Sequence, residues 1–568
     1  LSEQVRHQFW IILAALIVFF TQLGAPRLWD EDETIYAEVA REMMERGDWV
    51  VPMFNGDLSL DKPALVYWLM MSAYQLFGMS EFAARFWSPV LSIGIVLLTY
   101  HLGRRLYNPS VGLWSAMALA TNLIFDVSAR AATPDAALVF LTTLATYLFV
   151  RNGGVAGTGP GWLGYVSIYA AMGVATLAKG PVGIVLPTAV LGLFLMVNQP
   201  SGPSRLATLP WVWTKRFLLA TWTLRPLTAI ATIALVALPW YIWVGLRTDG
   251  KWLEGFFGFH NFYRFTQPIQ GHEGPIYYYL VTIAIGLFPW CVFLLPSLYY
   301  LGRRIRRHDA CRTSDLFVAS WAAMYVGFFS LASTKLPNYV LPAYPALALM
   351  IGAFLDQWLR QPATIPRAWF RASTSTTTLV GIALIVAAPI AAKHFFPGDG
   401  WLGVIGIVPF AGGLVALVLA ERHRFRPALI VYATMSIIFT TALLGFGATA
   451  LSRHHTSPLL VIQAKRSGAR AGEIATFRHF DFNLVYYAGQ EVHEYKQPDD
   501  VARFLQKSPT TFLVTHADEL PKLQSSLPAD VTVLARYPWF LRHGEIVLLG
   551  RSQATDHTAT NRITSQPR

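Results

Sequence analysis

Stretches of about 20 apolar residues recur along most of this chain, and no other feature constrains its fold as tightly. That length lets a helix cross the hydrocarbon core of a bilayer, where only helices and closed barrels satisfy their own backbone. Candidate spans fall at roughly 9–24, 84–103, 110–128, 134–150, 162–176, 180–197, 227–245, 276–300, 316–333, 338–356, 377–393, 401–420 and 428–450, about thirteen in all. Of the 568 residues, 54% are hydrophobic and 14% charged. A soluble chain carries roughly 25% charged residues. Stretches 64–79 and 206–222 read instead as interfacial helices. The first span has the apolar character of a signal peptide, but it runs into an acidic segment with no small-x-small cleavage site and is read as retained.

The formal net charge of +12 raises nucleic acid as a partner. The placement of the cations excludes it. Arg104, Arg105, Arg151, Arg205, Lys215, Arg216, Arg303, Arg304, Arg306, Arg307, Arg360, Arg367, Arg422 and Arg424 all fall in one alternating set of short loops. By the positive-inside rule those loops are cytoplasmic, which puts the N-terminus inside and the region after the last span outside. Cys291 and Cys311 flank the end of one span, so no disulfide framework is implied.

The opposite set of loops holds the residues suited to chemistry. The first, about 25–83, carries Asp30-Glu31-Asp32-Glu33 directly after the first span, and then Asp61-Lys62-Pro63. Carboxylates beside a bilayer are costly unless a cation or a reacting group meets them. Asp32 is the favoured member, as a group that orients or deprotonates an acceptor or binds an amino group. Thr133-Pro134-Asp135 heads a span, where Asp135 serves either as a helix cap or as a functional acid. Lys179 and Lys335 sit in short Pro-bounded connections. With Lys62, Arg247 and Arg264 they form a set of outer cations suited to holding a phosphate, the arginines with a bidentate fork. The fourth loop, about 246–275, also holds His260 and His272. With Asp61 they could bind a divalent metal such as zinc, although their spacing fits no closed zinc pattern. No cofactor is required by this reading.

From about residue 452 the composition changes. Short β-type runs at 474–477, 492–495, 511–514, 531–534 and 545–549 alternate with a helix starting at Pro498-Asp499-Asp500, where an Asp is expected to cap. The expected organisation is a polytopic α-helical membrane domain over 1–451, a small α/β domain over 452–552 on the outer side, and a polar tail over 553–568. No P-loop, G-x-S-x-G or H-E-x-x-H occurs, so nucleotide hydrolysis and those hydrolase chemistries find no support.

A set of motifs then carries a resemblance. They are Leu28-Trp29 with Asp32-Glu33-Thr34 and Tyr36-Ala37-Glu38, Arg41-Glu42-Met43, Lys62-Pro63, Thr133-Pro134-Asp135, Lys179-Gly180-Pro181, His260 with Arg264-Phe265 and His272, and Thr334-Lys335-Leu336-Pro337 with Tyr339. Together they resemble the GT-C membrane glycosyltransferases, most closely the bacterial lipid A aminoarabinose transferases of the protein-mannosyltransferase-like group. The likeness covers nearly the whole membrane region. One departure is Asp61, where the family pattern has Glu before Lys-Pro.

The resemblance implies an inner-membrane glycosyltransferase with its active site on the periplasmic side. It would move 4-amino-4-deoxy-L-arabinose from undecaprenyl phosphate to a lipid A phosphate and so confer resistance to polymyxin-type peptides. The expected catalytic residues are Asp32, Glu33 and Asp135. Those expected on the lipid phosphate and sugar are Lys62, Arg247, Arg264, Lys179, Lys335, Tyr36 and Tyr339. Membrane lipids are the surroundings, and a monomer is expected. Two alternatives share these features: a protein glycosyltransferase that draws on a polyprenyl-phosphate sugar, and a polyprenyl-lipid transporter.

Overall fold

The structure, a computed structural model, describes residues 2–29, 32–199, 210–258, 273–470 and 472–551, with Asp32 described by its backbone alone. The described chain forms two compact units. One comprises Leu1–Pro26, Val39–Pro52 and Leu58–Ala450; the other comprises Arg27–Glu38, Met53–Asp57 and Leu451–Arg568.

The larger unit is a multi-pass helical membrane domain. Among the described residues, eight helices are long and apolar enough to cross a membrane. Two bent pairs raise that to ten: Pro109–Leu119 with Leu123–Ala129 at 73°, and Tyr278–Gly286 with Trp290–Arg307 at 114°. The count therefore differs from the thirteen read from hydropathy. The other three expected spans are helical, at Asp135–Arg151, Trp162–Lys179 and Val182–Val197; the first two supply Asp135 and Lys179 to the site described below, and the third supplies part of its apolar wall. The first bend has a local cause. Asn122 restarts the helix by accepting the Phe125 N–H at 3.2 Å, and its own amide donates to the Leu119 carbonyl at 2.8 Å. Leu65–Phe77 and Pro210–Thr223 are helices, as read for the two interfacial stretches.

Polar anchors fix this unit inside its apolar packing. Arg304 grips Asp315 with two bonds of 2.8 Å, and Tyr107 donates to the same carboxylate at 2.8 Å. Asp315 is fully buried, so this fork joins consecutive helices where water cannot compete. Arg130, also buried, lies near the other end. It donates to the Val18 and Phe19 carbonyls at 2.7 and 3.2 Å, and to those of Thr21 and Leu444 at 2.7 and 3.1 Å. Those of Val18, Phe19 and Thr21 are carbonyls that the end of helix Glu3–Phe20 cannot satisfy itself, and a cation there also complements the helix dipole.

In the smaller unit, Ile474–Phe477 pairs in parallel with His493–Tyr495 on one side and Phe512–His516 on the other. Glu545–Arg551 then runs antiparallel to Phe512–His516 and to Val531–Pro538, with a bulge between Val533 and Ala535. Alternation sends Ile474, Phe512, Val514 and Leu548 to one core, with Leu460 and Leu484 of two helices. Ala475, Phe477, Leu513 and Leu549 face a second core with Val501 and Leu505 of helix Pro498–Lys507. That helix begins on Pro498, after Gln497, with no side-chain cap; Asp499 and Asp500 lie in its first turn, where acids favour the dipole.

Both units offer a test. Arg130→Met should destabilise the protein in detergent by about 3 kcal/mol, because it strands buried carbonyls. Arg130→Lys should recover only part of this, lacking the fork. Thermal unfolding monitored by size exclusion checks it, and an unchanged midpoint would refute the anchoring role. In the smaller unit, burial chiefly, with His516 and Arg542 beside it, pushes His479 down to about 4. Its folded form therefore resists protonation while the unfolded chain binds a proton below pH ~6.5, so stability is lost as pH falls from ~6.5 towards 4. Neighbouring Asp481, raised mainly by burial, opposes this at the acid end. Exchange protection of Phe512–His516, corrected for intrinsic rate, should fall over that window in the wild type and less steeply in His479→Gln.

Candidate active site

Two helix ends of opposite sign meet at the centre of the site. Asp135 is the first residue of helix Asp135–Arg151, and Lys179 is the last of Trp162–Lys179. Each charge therefore complements the dipole of its own helix. Gly180 makes the second end possible: at φ +76 it closes the helix, returning its N–H to the Thr176 carbonyl at 2.8 Å. Gly183 lets the next helix approach, since a Cβ there would lie 2.6 Å from the Ala175 carbonyl carbon.

The Lys179 ammonium donates to Asp135 Oδ1. Asn338 Nδ2 donates to Asp135 Oδ2 at 2.8 Å, and the Thr133 hydroxyl lies 3.4 Å from the same oxygen. The Asp135 side chain is only 5% exposed and that of Lys179 16%. Of the two roles open to Asp135, capping does not describe it: Pro134 holds the cap position with no side-chain bond, and both carboxylate oxygens have partners on other elements. The Tyr339 ring stands 5.4 Å from Lys179 Nζ and packs on Phe329 at 5.3 Å.

A second pair is local. Lys62 Nζ donates to Asp61 Oδ1 at 2.7 Å and to the Asp61 carbonyl at 3.1 Å. Its loop is braced from behind by buried Trp252, whose indole donates to the Ser59 carbonyl at 2.9 Å and stacks on Phe256 at 4.7 Å. Both pairs line one cavity of about 550 Å³, together with Asn338, Tyr339, Thr334 and an apolar wall that includes Leu138, Val182, Phe256, Phe257 and Phe328. A second, almost wholly apolar groove of about 730 Å³ shares Pro181 and Phe257 with it and runs along Tyr169, Leu224, Ile233 and Tyr241. Losing one member of such a sheltered pair leaves an uncompensated charge worth about 3–5 kcal/mol.

Lys62, Lys179, Asp61, Asp135 and Tyr339 are thus brought together. Other expected members are placed elsewhere. Lys335 was expected on a phosphate, but its ammonium donates to the Ser330 and Ala332 carbonyls at 2.9 and 2.7 Å. Burial lowers its pKa. It closes the end of helix Arg312–Leu331 and so holds the connection that carries Asn338 and Tyr339. Arg247 donates to Asp48 Oδ1 at 2.8 Å with its side chain 46% exposed, and does not line the cavity. Burial pushes the Asp48 carboxyl up, but the N–H groups of Val50 and Val51, with Arg247, outweigh it and hold it below its ordinary value.

The acidic stretch read as a loop is helical from Asp32 to Glu45. In it Glu33 Oε2 accepts the Trp29 N–H at 2.7 Å, as a carboxylate does in a capping box, and Tyr36 is buried. Glu33 and Tyr36 belong to the smaller unit. The Asp32 side chain, His260, Arg264 and His272 lie outside the described residues. Of the expected metal ligands that leaves Asp61, which Lys62 engages; no group of three or more His, Cys, Asp or Glu among the described residues has metal-binding geometry. Asn338 was not foreseen. The signal available was a polar amide in a short connection bounded by Pro337 and Pro342.

The larger unit is thus a multi-pass helical domain with lysine–carboxylate pairs in a cavity beside an apolar groove, and the smaller is an α/β unit. The fold is similar to that of ArnT from Cupriavidus metallidurans bound to undecaprenyl phosphate, with a TM-score of 0.74 and 24% identity over 95% of this chain and 97% of that one. The Archaeoglobus fulgidus oligosaccharyltransferase is a more distant likeness, with a TM-score of 0.53 and 13% identity over 91% of this chain and 70% of that one. Residues 61–228 match the dolichyl-phosphate-mannose-protein mannosyltransferase family model. An undecaprenyl phosphate-alpha-4-amino-4-deoxy-L-arabinose arabinosyl transferase from Serratia proteamaculans is 30% identical over 430 residues, 73% of this chain and 72% of the relative. Its Edwardsiella ictaluri counterpart is 30% identical over 352 residues, 61% of this chain and 59% of the relative. The chain belongs to this arabinosyl transferase family and is a membrane glycosyltransferase.

The placement of Lys335 is testable. Lys335→Met should lower the unfolding midpoint while leaving affinity for undecaprenyl phosphate, measured by titration, within about threefold, since an ammonium bonded to carbonyls stabilises by roughly 1.5–3 kcal/mol. Weakened binding at an unchanged midpoint would make it a phosphate ligand instead.

Proposed function

We propose that this protein transfers 4-amino-4-deoxy-L-arabinose from undecaprenyl phosphate to a phosphate of lipid A, at the periplasmic face of the inner membrane, and thereby lowers susceptibility to polymyxin-type cationic peptides. The observation that carries this reading is the pairing of a lysine-bearing cavity with an adjoining apolar groove. A polyprenyl phosphate has the same two parts, an anionic head for the lysines and an apolar tail for the groove.

In this reading Lys62 and Lys179 receive the donor phosphate and stabilise it as the leaving group. The acceptor phosphate is already ionised, so it can attack without a strong general base. Catalysis then comes from positioning and from electrostatic stabilisation of the departing phosphate. By the family resemblance, Asp32 would orient the acceptor or the sugar, and Arg247 and Arg264 would add positive charge. A divalent metal is not part of this scheme.

The test is reconstitution of the full chain with undecaprenyl-phosphate aminoarabinose and lipid A, followed by mass spectrometry of the lipid A. The wild type should add one aminoarabinose, whereas Lys62→Ala and Asp32→Asn should fold yet leave lipid A unmodified. Unmodified lipid A alongside a newly glycosylated protein would make the acceptor a protein, as the matching family model's description suggests. Movement of the lipid-linked sugar without a new glycosidic bond would make the protein a transporter. Full activity in either variant would remove that residue from the scheme.

A further inference from the structure

The two acid–lysine pairs of the cavity differ in construction. Asp61 and Lys62 are neighbours in sequence, so their pairing is local. Asp135 and Lys179 come from different helices, and only one oxygen of Asp135 serves the lysine. The other is held by Asn338 Nδ2 at 2.8 Å, from a third element. If Lys179 swings on its flexible stem towards an incoming phosphate, Asp135 therefore keeps its orientation. Its surroundings remain a wall that includes Leu138, Val182 and Phe329. A ligand that brings only an anion leaves that carboxylate uncompensated, which is strongly unfavourable in sheltered surroundings. A ligand that brings an anion and a cation together restores both pairs.

We infer that Asp135, positioned by Asn338, receives the ammonium group of the donor sugar when Lys179 turns to the donor phosphate, and that this exchange of partners selects aminated glycosyl phosphates over neutral ones. The inference rests on the donor class proposed above and adds to it the residue that reads the amine. Asp135 is then a specificity determinant in contact with the sugar, and Asn338 a positioning residue acting through it. The cavity is suited to a zwitterion because its own charges are already arranged as matched opposites.

The experiment compares two synthetic donors on the reconstituted full chain: undecaprenyl phosphate carrying 4-amino-4-deoxy-L-arabinose, and the same lipid carrying L-arabinose with a hydroxyl in place of the amine. The wild type should favour the aminated donor by roughly 100-fold in kcat/KM, because the hydroxyl still offers Asp135 a hydrogen bond but brings no opposite charge to the sheltered carboxylate. Asp135→Asn should collapse that preference, losing most activity on the aminated donor and far less on the hydroxyl donor. Asn338→Leu should lower the preference by about tenfold, mainly through KM for the aminated donor. Both variants are first checked for a wild-type size-exclusion profile. If Asp135→Asn does not fold, the Asn338→Leu ratio decides alone. Equal use of the two donors by the wild type, or an equal loss on both in the variants, would overturn the inference while leaving the transfer reading in place. Transfer from neither donor would overturn the transfer reading itself, and the inference with it.

Discussion

The contact between Asp135 and Lys179 draws on more of the molecule than any other in the site. It needs a helix that starts at Asp135 and one that stops at Lys179, and each end favours the charge placed on it. It needs Gly180 in the left-handed region to stop the second helix, and a glycine at 183 so that the third can lie against it. It needs the 3-10 turn at Pro337–Ala343 to bring in Asn338, and that turn follows a helix end closed by Lys335. A one-residue shift in any of these helix ends rotates a charged side chain by about 100° and breaks the pair. That dependence ties the short helices Asp135–Arg151, Trp162–Lys179 and Val182–Val197 to the site. They hold only 16 to 18 residues each, yet they carry its geometry.

The membrane architecture was legible because apolar length is a property of the sequence that survives folding. Each of the thirteen stretches contains a helix or a bent pair of helices. The bends were not legible as bends. Hydropathy adds up across Asn122 or Pro289 without registering that the axis turns by 73° or 114° there. The five strands after residue 474 were legible for a related reason. Three of them, Ile474–Phe477, Phe512–His516 and Glu545–Arg551, alternate between two cores, with both faces apolar in short runs set off by polar turns.

The site was legible by residue type and less so by role. Lysines in Pro-bounded connections stood out, but type alone could not separate Lys179, whose ammonium meets a carboxylate in the cavity, from Lys335, whose ammonium meets main-chain carbonyls. The difference lies in which helix end each follows. Lys179 is the last helical residue, while Lys335 comes four residues past Leu331 and reaches back. Arg247 finds Asp48, nearly two hundred positions away, and no local pattern announces such a partner. The acidic run looked like a loop because of its charge. Yet Thr34, Ala37, Glu38 and Val39 are buried in the helix Asp32–Glu45, a pattern that four successive acids obscured. Asn338 carries no charge and drew no attention, although it makes the bond that orients Asp135.

A cavity lined by bare cations would bind any anion, including free phosphate and the headgroups of the surrounding lipid. Here the two lysines that line the cavity are each met by a carboxylate, so the four groups sum to no net charge at rest. Binding an anion is then an exchange, in which the phosphate must outcompete a carboxylate already in place. Coulomb attraction alone gives little advantage in such an exchange, because one anion replaces another at similar range. Selectivity must come from whatever compensates the displaced carboxylate and from the apolar groove that receives the remainder of the ligand. Common anions lack both a cation and a long apolar tail, and a matched acid–base cavity therefore excludes them without any steric gate. The same neutrality keeps two lysines sheltered beside lipid without the desolvation cost of unpaired charge.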